Sequence, residues 1–80
     1  MKIEDKILEL IKPYLEKENI KIYKIEYKKE NNNNFLKIYL ETDNIDTCVK
    51  ATKIINPLLD KEDLIDEQYI LEVSSKGMEE

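Results

Sequence analysis

The sequence predicts an α+β fold in two layers, with two helices on one face of a three-stranded sheet, in the order helix-strand-strand-helix-strand. Three observations predict it. Residues 20–42 hold two alternating runs separated by Glu30 and a tract of asparagines. Longer segments before and after them repeat apolar residues every three or four positions, as an amphipathic helix does. A third alternating run, Tyr69 to Ser74, follows the second helical segment.

Met1 to Glu18 is helical by period, with Ile3, Ile7, Leu10, Ile11 and Tyr14 on one stripe and Leu8 and Leu15 on its flank. Pro13 removes one backbone bond. Because the stripe continues past it, a kink is expected rather than a stop. Asn19 suits a left-handed cap. In the first strand Tyr23, Ile25 and Tyr27 oppose Lys24, Glu26 and Lys28. Asn31 to Asn34 reads as the turn. In the second strand Leu36, Ile38 and Leu40 oppose Lys37, Tyr39 and Glu41.

Asn44 is the expected N-cap of the second helix, with Asp46 in its positive first turn. Cys48, Ala51, Thr52, Ile55, Leu58 and Leu59 form its inner side, while Val49 and Lys50 point away. Pro57 marks a kink, or an end near Ile55. Lys61 to Gln68 is a charged connector in which Leu64 and Ile65 tuck under the sheet edge. Tyr69, Leu71 and Val73 then face inward from the third strand, and Gly77 serves a turn with positive φ. The strand order expected is second-first-third, which makes every pair antiparallel, with sequential order as the alternative. The expected core is Ile7, Leu10, Ile11, Tyr14, Ile25, Tyr27, Leu36, Ile38, Ala51, Ile55, Leu58, Leu71 and Val73.

The 80 residues read as a single domain, 1–80, without internal repeats. The net charge of −5 is unevenly placed: residues 1–42 hold nine lysines against eight acids, and residues 43–80 hold four lysines against ten acids. All the positive charge is lysine. Naked nucleic acid is therefore a poor principal partner, since phosphate binding wants a concentrated basic surface and base reading leans on arginine. With no histidine and the one cysteine Cys48, an intrachain disulfide and the usual zinc sites are excluded. On its apolar stripe Cys48 reads as a small core filler, not a nucleophile. Glu72 beside Ser74 and Ser75 has no base to complete a nucleophilic site. No catalytic, cofactor-binding or metal-binding residue is expected. No apolar run approaches the ~20 residues of a membrane span and no leader pattern opens the chain, so the expected location is cytoplasmic.

Specific words in this order carry a resemblance. Leu10-Ile11-Lys12-Pro13-Tyr14-Leu15-Glu16 resembles the opening helix of the ribosome maturation factor RimP family. Ile25-Glu26-Tyr27-Lys28-Lys29 and Leu36-Lys37-Ile38-Tyr39-Leu40-Glu41 resemble its first two strands. Asn44-Ile45-Asp46-Thr47-Cys48 is similar to its second helix start, and Leu58-Leu59-Asp60 to that helix's end. Tyr69-Ile70-Leu71-Glu72-Val73-Ser74-Ser75-Lys76-Gly77-Met78 is the most specific match, to a family pattern of Tyr-x-Leu-Glu-Val-Ser-Ser-Pro-Gly-Leu. Lys76 replaces the family proline. Glu79 and Glu80 stand where the family continues with an acid, an arginine and a proline. The family's second, Sm-like barrel domain has no counterpart in these residues.

The resemblance implies the amino-terminal domain of a factor assisting maturation of the small (30S) ribosomal subunit, working as a monomer without membrane or small-molecule substrate. The expected partner is the small subunit, through a basic ribosomal protein suited to the acidic second half of the chain, with rRNA as a second candidate. Asp60, Glu62, Asp63, Asp66 and Glu67 form an acidic patch with Lys61 the only positive charge among them. Asp63, Asp66 and Glu67, with Glu72, are the expected partner-binding residues. The alternative is a KH-like RNA-binding module that uses the open face of the sheet through Lys24, Lys28, Lys37 and Tyr39. A Gly-x-x-Gly clamp is impossible with one glycine.

Overall fold

The computed structural model describes residues 2–75, so the expected turn at Gly77 lies outside the described residues. The elements are α1 (Ile3–Glu16), β1 (Ile22–Glu30), β2 (Asn33–Leu40), α2 (Ile45–Glu62) and β3 (Ile70–Ser75). Their order is the one the periodicity predicts.

In α1 the fully buried row is Ile7, Ile11 and Leu15, with Ile3 and Leu10 packed beside it. Each step of that row is four residues, so the side chains stack on one face. Tyr14, expected in the core, is 45% exposed. The inward place belongs to Leu15, which continues the row that Tyr14 leaves. The helix end reinforces this: Asn19 has φ 60, its N–H bonds the Glu16 carbonyl, and the Ile20 N–H bonds the Leu15 carbonyl. That Schellman arrangement uses asparagine's tolerance of the left-handed region and buries Ile20 at the start of the return chain.

Both prolines lie inside helices. Pro13 and Pro57 are exposed, as are Glu9 and Lys53, whose carbonyls lose an intrahelical donor to them. At exposed positions a carbonyl without its helical donor can bond water instead, and both helices continue past their prolines. α2 consequently runs to Glu62 rather than ending near Ile55, and it takes the first two residues of the expected connector. Its N-cap is as expected: Asn44 Oδ1 accepts the Asp46 N–H at 2.8 Å. Cys48, Ala51, Ile55 and Leu59 are its buried row, with Val49 and Lys50 exposed. The Lys50 ammonium lies 2.7 Å from Glu18 Oε1 and ties α2 to the end of α1.

β1 and β2 form an antiparallel hairpin closed by two residues only, Asn31 and Asn32, at φ 48 and φ 69. Two consecutive positive φ values define the primed turn whose twist matches the strands, and asparagine supports them. Asn33 and Asn34, expected in the turn, therefore belong to β2. The strand order is β1-β2-β3, with β3 parallel to β2. This corrects the expected second-first-third order. Leu36, Ile38 and Leu40 of β2 are fully buried, and the most apolar row takes the centre, where strands cover it on both sides. The lysine-bearing β1 is left at an edge, where charge is tolerated.

A bulge between Ile22 and Lys24 corrects the face of β1 as well. Tyr23 is 48% exposed, and Ile22 joins Ile25 and Tyr27 against the core. Leu71 and Val73 face inward from β3 as expected.

Candidate functional site: an acidic groove beside the third strand

Asp60, Asp63, Asp66 and Glu67, among the sequence-predicted acids, are brought together where α2 ends. Asp60 lies in the last turn of α2, and Asp63 follows it in the left-handed region at φ 47. The Asp63 N–H bonds the Leu59 carbonyl at 2.9 Å, which closes the helix and turns the chain. Ile65 is then buried beside Tyr69 and Leu71, while Leu64, expected under the sheet edge with it, lies with Leu10 of α1. Asp60, Asp63, Asp66 and Glu67 consequently line one open groove with Tyr69 and Leu71.

A second anchor comes from β2. Asn34 is buried, and its side-chain amide donates to Glu67 Oε2 at 2.8 Å and to the Gln68 carbonyl at 2.9 Å. The connector is thereby held at Ile65 on one side and at Asn34 on the other. The groove has a partly buried aromatic floor: burial pushes the Tyr69 phenol above its ordinary value, and the Asp60 and Asp63 carboxylates and Tyr27 add to it. Burial also pushes the Tyr27 phenol up, with the Glu67 carboxylate contributing. Carboxylates around a tyrosine ring suit a lysine or arginine side chain, which gains both charge pairing and the ring face.

Glu72 and Glu62 do not join this groove. Glu62 faces a separate hollow with Lys6, Glu9 and Leu64. Glu72 stands on the open face of the sheet, beside Lys37 in the β2–β3 register. That face also collects the four alternative residues. Its rows are Lys28–Phe35–Ile70, Glu26–Lys37–Glu72 and Lys24–Tyr39–Ser74. The lysines there have local partners. Glu26 lies 3.5 Å from Lys24 and 3.6 Å from Lys28. Lys24 covers the Tyr39 ring at 5.8 Å and Lys37 covers Phe35 at 5.7 Å. Stacking a base on either ring means displacing a lysine first.

Asn34 and Tyr69 are the residues whose role the sequence reading missed. The period-two row Asn34, Leu36, Ile38, Leu40 was the available signal for Asn34, and the asparagine tract masked it. Cys48 is buried, and burial pushes its thiol up, away from the reactive thiolate. Among the described residues no group of three or more histidine, cysteine or acidic side chains is placed to hold a metal ion. Among them, too, no helix is long and apolar enough to cross a membrane. Compared with known families, the sequence matches the RimP N-terminal domain over residues 10–79.

Proposed function

The chain belongs to the RimP N-terminal domain family, and from that premise we propose that it serves maturation of the small (30S) ribosomal subunit by holding a basic ribosomal protein in the acidic groove. The observation that carries this reading is the convergence of Asp60, Asp63, Asp66 and Glu67 around Tyr69. Ribosomal proteins are basic because they bind RNA. Carboxylates that occupy their lysines and arginines keep those groups from mispairing until the RNA phosphates take over. Such a surface speeds encounter and releases its partner as salt or competing phosphate rises. The work is binding, with no bond made or broken. It calls for neither cofactor nor small-molecule substrate, and we read the domain as a cytoplasmic monomer.

The test reverses Asp63, Asp66 and Glu67 to lysine, with Glu67→Gln as a control for the Asn34 contact. Circular dichroism checks the fold. Association with small subunits, or with their separated basic proteins, is then measured across a salt series, in this chain and in one carrying the second domain. Loss of binding and of its salt dependence is expected. Unchanged binding in both overturns the reading. The second reading is RNA binding on the open face, favoured by the convergence of Lys24, Lys28, Lys37 and Tyr39. Glu26 and Glu72 flank Lys37 in its own row and oppose it. Affinity for single-stranded RNA at low salt no better than that of an acidic control protein retires it.

A further inference from the structure

We infer that the outer edge of β3 takes an extended, lysine- and arginine-rich segment of the partner protein as a fourth strand. This rests on the acidic-groove reading and specifies how the partner is held. β3 ends the sheet and pairs with β2 alone. Among the described residues no backbone hydrogen bond is made on its outer side. An edge of this kind offers alternate N–H and C=O groups that a further strand can pair.

The two edges of the sheet differ. β1 is broken by the bulge at Tyr23 and carries Lys24, Lys28 and Lys29, features that discourage strand addition. β3 reads Ile-Leu-Glu-Val-Ser-Ser, with neither lysine nor proline, and its register on β2 is unbroken. Ile70 is 49% exposed at its start.

Charge selects the occupant. Side chains of an added strand alternate between the two faces. On the helix face they come toward Asp60 and Asp63 beside Tyr69, and on the open face toward Glu72. Both faces therefore meet carboxylates. A second copy of this chain, at net charge −5, brings acid to acid. RNA has no backbone amide to pair and is repelled by the same groups. A basic protein segment satisfies both the backbone and the charges.

The test uses a capped peptide of alternating lysine and threonine, about ten residues long and so within usual strand length. Its comparator is the same peptide N-methylated throughout, which keeps the charge and removes the amide donors. The unmethylated peptide is expected to bind the 80-residue chain about tenfold more tightly or better, the equivalent of one or two net hydrogen bonds. It should also slow hydrogen exchange at alternate amides of β3. Equal binding, binding of neither peptide, or slowed exchange confined to other elements overturns the inference. So does concentration-dependent self-association blocked by the peptide, which assigns the edge to a second copy. If the charge reversal abolishes subunit binding while the two peptides bind alike, the acidic groove stands and the edge falls. If the peptides differ while the reversal leaves subunit binding unchanged, the edge stands and the groove reading falls.

Discussion

Asn34, at the start of β2, donates from its buried side-chain amide to the carboxylate of Glu67 at 2.8 Å, and so holds the acidic connector to the sheet across a separation of 33 residues. The same nitrogen also donates to the Gln68 carbonyl. Both partners are pure acceptors, so the orientation of the amide is determined by them. Its own oxygen is buried and has no hydrogen-bond partner among the described residues. A buried polar group in that condition is costly, and the two donated bonds offset the cost by ordering a surface segment.

Replacing Asn34 by alanine should therefore destabilise the domain by about 1–3 kcal/mol, read by urea unfolding. It should also weaken the basic partner although Asn34 is buried away from it. Asn34→Asp sets a second carboxylate against Glu67, so its deficit should be larger at pH 7 than at pH 4, where protonation relieves the repulsion. Equal deficits at both pH values would show that Glu67 is not held there.

Among the described residues, Asp63 is the only one after α2 held in the left-handed region. Glycine adopts that region without a Cβ clash, so Asp63→Gly should change stability little or raise it by up to about 1 kcal/mol. The same change removes one groove carboxylate. Thermal unfolding and partner titration should thus move in opposite directions. A fall in both would mean that Asp63 matters to the fold through its side chain.

The strand order makes a quantitative distinction. Ile38 lies fully buried on the central strand, and Leu71 is half-buried on the edge strand. Ile38→Ala should cost about 2–5 kcal/mol and Leu71→Ala clearly less. Equal costs would contradict the central position of β2.

Alkali should destabilise the domain. Burial holds the Cys48 thiol above its ordinary 9.0, and the Tyr27 and Tyr69 phenols above 10.0. Each group binds its proton more tightly folded than unfolded. Their contribution is full below the unfolded values and is lost as pH rises through the folded ones. The urea midpoint should therefore decline from about pH 9 upward, within the ordinary thiol range. Cys48→Ala should remove the first part of the decline and Tyr69→Phe a later part. A midpoint flat from pH 8 to 11 would refute this.

Local chemistry was legible in the chain. Asn44 beside Asp46, Asn19 after a helical run, and the spacing of Cys48, Ala51 and Ile55 each specify a cap or a buried row within one or two turns, and the structure has them. The acids of residues 60–67 were legible as a cluster for the same reason, being close in sequence. Their gathering around Tyr69 was not, because it depends on α2 running past Pro57 and on Asn34 far along the chain.

Periodicity reports which side of an element is apolar, and that is what the sequence by itself determined: two helices, three strands and the faces most of them bury. It is silent on neighbours and on one-residue slips. Packing placed β2 at the centre, because three fully buried residues in alternation need cover on both sides. Packing also chose Leu15 over Tyr14, and the bulge at Tyr23 exchanged Tyr23 for Ile22. Each of these choices compares near-equal local options whose difference lies in contacts between residues distant along the chain.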